Sequence, residues 1–144
     1  MNLQKWDIRF LELAKLVSSW SKDPSTKVGA VITDNKNRIV SVGYNGFPTG
    51  IEDDDRLNNR DTKYKIIIHG EMNAINFANK NLEHCTLYTY PFEPCSRCAS
   101  IIIQSGITRV VTYENNIDRW EEDFKLSRQL FKEANIIMDY YNAK

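Results

Sequence analysis

Residues 66–80 read "IIIHGEMNAINFANK", and within them a strand-like apolar run passes into a helical pattern. The apolar run ends at His69, and apolar residues then return at the spacing of a helix. His69 and Glu71 stand two residues apart where this helix is predicted to begin. Such a pair is typical of a helix cap, of a solvated helix end, or of one half of a metal site. The metal interpretation requires further ligands elsewhere in the chain.

A second stretch supplies the missing ligand types. Residues 90–103 read "YPFEPCSRCASIII", in which Pro94 directly precedes Cys95 and Cys98 follows three residues later. This spacing places both thiols on one face of a predicted helix start. The positive end of a helix favours thiolates there. Together with His69, the two helix starts offer one imidazole and two thiolates, a donor set typical of zinc.

The fourth zinc position decides between a catalytic and a structural site. A catalytic zinc keeps that position for water, whereas a structural zinc closes it with protein. The remaining histidine and cysteine, His84 and Cys85, lie at the entry to a predicted strand without a paired ligand at helical spacing. The pattern therefore favours an open site with Glu71 as proton carrier, over a structural zinc or a redox pair. It matches H-x-E…P-C-x-x-C, the signature of zinc deaminases.

Composition limits the other classes of function. A chain of 144 residues is expected to form a single domain over residues 1–144. Its 19 basic and 19 acidic residues balance, which argues against a polynucleotide partner. The first 20 residues alternate charged with apolar side chains, so we expect neither a signal peptide nor a membrane span, and a cytoplasmic protein. Three cysteines, an odd number, argue against a disulfide framework.

The rest of the chain predicts a mixed α/β sheet. A first helix is predicted from apolar residues on one face: Trp6, Phe10, Leu13, Val17 and Trp20. Two strands follow around a polar turn, and three more, "CTLYTY", "RVVTYEN" and "NIIMDYY", alternate with helices. One of these helices begins at Cys95 and stops at Gly106, and the next opens with a capping box at Asp118. Residues 46–65 are predicted to be a functional loop.

Five segments carry a resemblance to a known family. They are, in order, "SKDPSTKVGAVI", "GYNGFPTG", "DTKY", "HGEMNAI" and "IIQSGITRVV". With the zinc motifs, they make nearly the whole chain resemble the dCMP deaminases of the cytidine and deoxycytidylate deaminase superfamily. The resemblance implies a three-layer cytidine-deaminase-like fold, in which helices flank a central mixed five-stranded sheet. It also implies one Zn²⁺ per chain and hydrolysis of dCMP to dUMP and ammonia, which supplies dUMP for thymidylate synthesis.

The resemblance also assigns substrate contacts. Asn45 matches the asparagine that hydrogen-bonds the deoxyribose, while Ser25 and Lys27 match the region that receives the 5′-phosphate. Tyr113 lies near the expected rim of the site and would also touch the phosphate. Each has an ordinary alternative: Asn before Gly is a common turn pair, an exposed lysine usually does nothing specific, and Tyr113 reads equally as a half-buried strand residue. Gly70, where many relatives have alanine, is a departure that removes no ligand.

Regulation and assembly follow from the same resemblance. It implies activation by dCTP and inhibition by dTTP at Gly43, Tyr44, Gly46, Phe47 and the loop after them. It further implies a homo-oligomer, with a hexamer among the forms that relatives take, in a bacterial or phage-infected host cytoplasm and without a membrane partner. Three alternatives stay open: a nucleoside cytidine deaminase, a tRNA-type polynucleotide deaminase, and a zinc module in which the metal only holds the fold.

Overall fold

The computed structural model describes residues 3–115 and 117–142. Its helices are α1 (Leu3–Ser18), α2 (Arg60–Ile66), α3 (Gly70–Phe77), α4 (Ser96–Ser105) and α5 (Glu121–Glu133). Its strands are β1 (Gly29–Thr33), β2 (Ile39–Tyr44), β3 (Thr86–Tyr90), β4 (Arg109–Tyr113) and β5 (Ile137–Tyr141). Short 3₁₀ turns, Asp55–Asn58 and Asp118–Trp120, precede α2 and α5. No helix in these two ranges is both long and apolar enough to cross a membrane.

The strands form one mixed sheet in the order β2-β1-β3-β4-β5. Strand β1 pairs antiparallel with both β2 and β3, whereas β3, β4 and β5 run parallel. The parallel strands are joined through α4 and α5, as parallel pairing requires a crossover connection. The predicted mixed five-stranded sheet is confirmed.

Helices cover both faces of the sheet. On one face, α1 packs through Phe10, Leu11 and Ala14 against alternate residues of the central strands. On the other face, a larger core joins the sheet to α3, α4 and α5; its buried members include Ala30, Ile32, Ala74, Leu87, Ile102, Val110 and Phe131. Residues 30, 31 and 32 of β1 alternate between these two cores, as the period of two of a strand demands. The three-layer architecture is thus the predicted one.

Two predictions for the segment before His69 are wrong. Residues 46–65 are not all loop, because Asn59 caps α2 by accepting a hydrogen bond from the Thr62 N–H at 3.2 Å. Ile66 is therefore the last residue of a helix, and Ile68 makes only a single bridge, to Gly46. A helix cap seven residues upstream outweighs the β preference of three isoleucines.

The end of α1 and the start of α5 also differ from the positions predicted from the sequence. Helix α1 ends at Ser18, so Trp20 lies beyond it and is 51% exposed. Asp118 opens a 3₁₀ turn, and α5 begins at Glu121 without a side-chain cap. The predicted capping box is therefore absent from the described start of α5. Gly106 does end α4, in the left-handed conformation with φ of 93° that favours glycine.

Candidate metal centre

Two helix starts bring the three predicted ligands together. His69 directly precedes α3 and Cys95 directly precedes α4, each with an extended backbone and neither capping its helix with its side chain. Cys98 lies in the first turn of α4 and is fully buried. Since α3 and α4 lie on the same face of the sheet, the ligands from both helix starts converge.

The distances fit a tetrahedral metal site. His69 Nδ1 lies 3.3 Å from Cys98 Sγ and 3.4 Å from Cys95 Sγ. All ligand atoms of the cluster lie within 4.8 Å of one another. A zinc tetrahedron with Zn–S near 2.3 Å and Zn–N near 2.0 Å has ligand separations of about 3.5–3.8 Å. The imidazole and the two thiols are therefore placed to bind one zinc ion together.

The cysteine pair is electrostatically prepared for a cation. The hydrogen bond from the Cys98 thiol lowers the pKa of Cys95 to about 4, and His69 acts in the same direction. The same bond raises the pKa of Cys98. Zinc ligands are thiolates, so a divalent cation bound here would displace the remaining thiol proton.

Glu71 is the unpaired acceptor of this site. It lies in the first turn of α3 and is only 4% exposed. Its Oε1 has no hydrogen-bond partner among the residues that the structure describes. Burial raises the pKa of Glu71 to about 7, against the opposing influence of His69. Buried carboxylate oxygens are rarely left without a partner, so this atom indicates a group that comes from outside the chain.

A cavity opens above these residues and contains some of the predicted substrate contacts. His69, Glu71 and Cys95 line it together with Ser25 and Asn45. The structure therefore brings the metal ligands and two of the four predicted substrate residues to one site.

The other two predicted substrate residues lie elsewhere. Lys27 is exposed and is not among the residues that line the cavity. Tyr113 packs edge-on against Tyr90, with ring centroids 5.9 Å apart, and lines a separate groove beside α1. Their roles at the phosphate stay predictions of the resemblance.

Asn45 holds the cavity wall as well as lining it. Its Oδ1 accepts a hydrogen bond from the Val28 N–H at 2.8 Å, and its Nδ2 donates to the Thr26 carbonyl at 2.9 Å. Nδ2 also lies 3.3 Å from Asp23 Oδ2. The amide donors are thus committed to the protein, while Oδ1 keeps a second lone pair.

The cavity wall contains cations that the sequence did not single out. Lys63 is 5% exposed and places Nζ 3.1 Å from both Asp23 Oδ1 and Ser25 Oγ. Arg60 and Arg119 also line the cavity, and within the described ranges neither forms an ion pair. Lys63 belongs to the segment "DTKY", which contributed to the resemblance without a role. Its partner Asp23 is 40 residues away, so no local pattern reveals the pair.

The predicted regulatory residues occupy the end of β2 and the turn after it. A Cβ at Gly43 would lie 2.4 Å from the backbone nitrogen of Ala74, so α3 packs directly on this glycine. Tyr44 is 41% exposed and makes an edge contact with Trp20. Phe47 lies under the guanidinium of Arg56, 5.9 Å from it. The regulatory role of this surface stays a prediction.

Comparison with known proteins identifies the domain. Residues 4–114 match the family model of the cytidine and deoxycytidylate deaminase zinc-binding region. The matched range contains His69, Glu71, Cys95 and Cys98. Zinc is accordingly the metal for which this cluster is built.

Relatives and a solved structure agree with this match. An uncharacterized deaminase of Aliivibrio fischeri is 47% identical over 137 residues, which cover 93% of this chain and 92% of the relative. The deoxycytidylate deaminase of Mus musculus is 39% identical over 149 residues, covering 97% of this chain and 82% of the relative. The dCMP deaminase of cyanophage S-TIM5, solved in complex with dCMP and dUMP, shares the fold. Its TM-score is 0.75 at 22% identity, over 95% of this chain and 97% of that one.

Proposed function

The chain belongs to the cytidine and deoxycytidylate deaminase family, and on that premise we propose that it hydrolyses dCMP to dUMP and ammonia. The proposal makes it a hydrolase that breaks the C–N bond of a cyclic amidine. One observation carries it: Glu71 Oε1, a buried carboxylate oxygen with no partner among the described residues, belongs to the same cavity wall as His69 and Cys95 of the metal cluster. The relatives named deoxycytidylate deaminase support the choice of substrate.

The metal cluster has the composition of a catalytic zinc site. His69, Cys95 and Cys98 would hold the ion, and three protein ligands leave one position open. Zinc, when bound, lowers the pKa of water to about 7 and so supplies a nucleophile at neutral pH. We expect one zinc per chain, because a single such cluster lies among the described residues.

Glu71 would carry the protons of the reaction. Water adds to C4 of the cytosine ring, and its proton passes to the free Oε1 of Glu71. The carboxyl group passes this proton to N3. It then takes the proton of the new C4 hydroxyl and delivers it to the amino group, so that the C4–N bond breaks, the C4=O bond forms and ammonia departs. Burial favours the neutral carboxyl form of Glu71 and raises its pKa to about 7. A group with a pKa near the working pH can both accept and donate a proton, as this reaction requires.

The remaining cavity walls would orient the nucleotide. Asn45 Oδ1 has a lone pair left for a hydroxyl of the deoxyribose, and its other bonds fix the amide in place. Arg60 and Arg119 line the cavity and form no ion pair within the described ranges, so we propose these two cations for the 5′-phosphate. Ser25 lines the same wall. Lys27 lies outside the cavity, and its phosphate contact stays a prediction of the resemblance.

The replacement Glu71→Gln tests the chemistry. Gln has nearly the same size but cannot take a proton, and Glu71 is outside the predicted ligand set. We expect kcat for dCMP to fall by about 10²–10⁴-fold while the zinc content stays at one per chain. Elemental analysis together with an ammonia assay measures both quantities. A variant that keeps zinc and wild-type turnover would contradict the role of Glu71 as proton carrier.

Regulation, assembly and location complete the proposal. We propose that dCTP raises and dTTP lowers the affinity for dCMP by binding at Gly43, Tyr44, Gly46 and Phe47 and the loop after them. Coupling of this kind is usually worth about 1–3 kcal/mol. We further propose a cytoplasmic homo-oligomer, with a hexamer as one form, that supplies dUMP for thymidylate synthesis. Saturation curves for dCMP, recorded with and without each nucleotide, test the regulation, and curves that neither nucleotide changes would contradict it. Light scattering of the protein as it leaves a size-exclusion column measures the oligomeric state.

A further inference from the structure

Helix α5 holds the chain on both sides of the ligand Cys95. Asp123 accepts hydrogen bonds from the Ser96 N–H at 2.9 Å and from the Ser96 hydroxyl at 2.7 Å. One turn further along α5, the Ser127 hydroxyl donates to the Pro94 carbonyl at 2.8 Å. The residues immediately before and after Cys95 are therefore both bound to α5, and the ligand between them has little freedom to move.

The same helix binds the two residues further upstream. Arg128 donates to both carboxylate oxygens of Glu93, at 2.8 and 2.9 Å, and Glu93 is only 5% exposed. Phe124 packs on Phe92, with ring centroids 5.6 Å apart. The contacts repeat at helical spacing along α5, so one stripe of this helix supports the whole segment that leads to the metal ligand.

This arrangement resolves a conflict at the start of α4. The residue before a helix usually caps it with a Ser, Thr, Asp or Asn side chain that accepts a backbone N–H. Cys95 occupies that position in α4 and makes no capping bond. A cysteine whose sulfur binds a metal cannot also use that sulfur to accept a hydrogen bond from the backbone N–H groups of the helix. Asp123 supplies the cap from a different helix, through the N–H of the first residue of α4, Ser96.

We propose that Asp123 is a positioning residue of the metal centre. It takes over the capping of α4, so that Cys95 Sγ stays directed at the metal in the geometry that His69 and Cys98 share. The inference rests on metal binding by these three residues and is independent of which cytosine compound is the substrate. Groups that orient metal ligands typically change metal affinity or activity by about 10–100-fold when they are removed.

The test is zinc release from the loaded protein. Asp123→Ala should release zinc to an excess of a chromophoric chelator about 10–100-fold faster than the wild type. Asp123→Asn retains one carbonyl acceptor for Ser96 and should fall between the two. Glu122→Ala is the matched control, because Glu122 is also an acidic residue of the first turn of α5 but is exposed, and among the described residues its one ion pair is with Lys125, at 3.8 Å. Its zinc release should equal that of the wild type.

Two further readouts separate positioning from simple stabilisation. Cobalt substituted for zinc should show shifted thiolate charge-transfer and ligand-field bands in Asp123→Ala and unshifted bands in Glu122→Ala. If Asp123→Ala lowers the melting temperature but leaves zinc release and the cobalt bands unchanged, the proposal is overturned and Asp123 is only a helix cap. Should Asp123→Ala fail to fold, Asp123→Asn decides: zinc release faster than in the wild type supports the proposal, and wild-type release overturns it.

Discussion

At the scale of single residues, the cations of the cavity wall fall into two groups. Lys63 is neutralised by Asp23 at 3.1 Å and fixes the wall. Arg119 lines the same cavity, and its guanidinium lies over the ring of Trp120, 5.4 Å from the centroid, without an ion pair among the described residues. A buried, paired lysine and an unpaired arginine have different uses: the first holds protein groups together, and the second is available to an anion.

Arg119→Ala should therefore weaken the reaction of a phosphorylated substrate selectively. A charge-assisted hydrogen bond contributes about 1.5–3 kcal/mol, which corresponds to about ten- to two-hundredfold in kcat/KM for dCMP. Deoxycytidine lacks the phosphate, so its slow turnover should barely change. Arg9→Ala is the control, because Arg9 is stacked on Trp6 in the same way, at 4.7 Å, but lies on α1 outside the cavity. Equal losses of kcat/KM on dCMP and deoxycytidine would show that Arg119 supports the fold instead. Lys27→Ala, assayed with the same two substrates, tests whether Lys27 contacts the 5′-phosphate as the resemblance implies.

The metal residues could be predicted from the sequence because their chemistry is local. His-x-Glu and Cys-x-x-Cys each lie within one helix start, and the structure places His69, Cys95 and Cys98 together as predicted. Lys63 and Asp123 could not be found in this way. Their partners, Asp23 and Ser96, lie 40 and 27 residues away, so only the folded chain brings the pairs together.

At the scale of elements, the packing of α3 on β2 depends on a glycine. A Cβ at Gly43 would lie 2.4 Å from the Ala74 nitrogen and 2.6 Å from the Gly70 carbonyl oxygen. Because both neighbours are backbone atoms of α3, they cannot turn aside as a side chain can. The helix that carries Glu71 would have to move as a unit.

Gly43→Ala should accordingly destabilise the protein by about 1–3 kcal/mol, the usual cost of overpacking. Gly46→Ala is the matched control, since a Cβ there meets no atom within 4 Å, and its effect should stay within about 0.5 kcal/mol. Urea unfolding of the two variants beside the wild type measures the difference. Equal stability of all three proteins would contradict the close packing of α3 on β2.

Helices and strands could be predicted where all local sequence signals favoured the same structure. The two strands around a polar turn, β1 and β2, and the glycine stop of α4 at Gly106 were confirmed. The isoleucines at 66–68 were read as a strand, yet the cap at Asn59 makes the first of them the end of α2. The β preference of the isoleucines favours a strand, whereas the cap at Asn59, outside the isoleucine run, favours a helix. The sequence alone does not show which of these two preferences is the stronger, because that depends on the packing of the folded chain.

At the scale of the whole molecule, Asp7 links one helix to three strands. It is fully buried in α1 and accepts hydrogen bonds from Tyr88 of β3 and Arg109 of β4. It also accepts one from Tyr141 of β5, at 2.6 Å. Burial by itself would raise the pKa of Asp7, but these donors outweigh it and lower the pKa below its ordinary value.

Asp7→Asn should lower the free energy of unfolding at pH 7 by about 3 kcal/mol, because Arg109 loses its buried partner. The folded protein depresses the pKa of Asp7, so this stabilisation is fully present above the ordinary pKa of about 4 and is lost progressively as the pH falls from there through the depressed pKa of the folded state. The gap between variant and wild type should therefore narrow in acid. Asp139→Asn, which removes the more exposed partner of Arg109, should cost less than about 1 kcal/mol. Urea unfolding at pH 7 and pH 3 tests this, and a gap that is independent of pH would contradict it.

The most direct test of the proposed function is the ratio of kcat/KM for dCMP to that for deoxycytidine, measured on the zinc-loaded wild-type protein. Ammonia release and the formation of dUMP or deoxyuridine are followed together. We expect dUMP as the product and a ratio of at least about tenfold in favour of dCMP, the lower bound of a single charge-assisted phosphate contact. Equal rates on both compounds would move the protein to the nucleoside deaminases, and no turnover of either by protein with one zinc per chain would contradict the proposed function altogether.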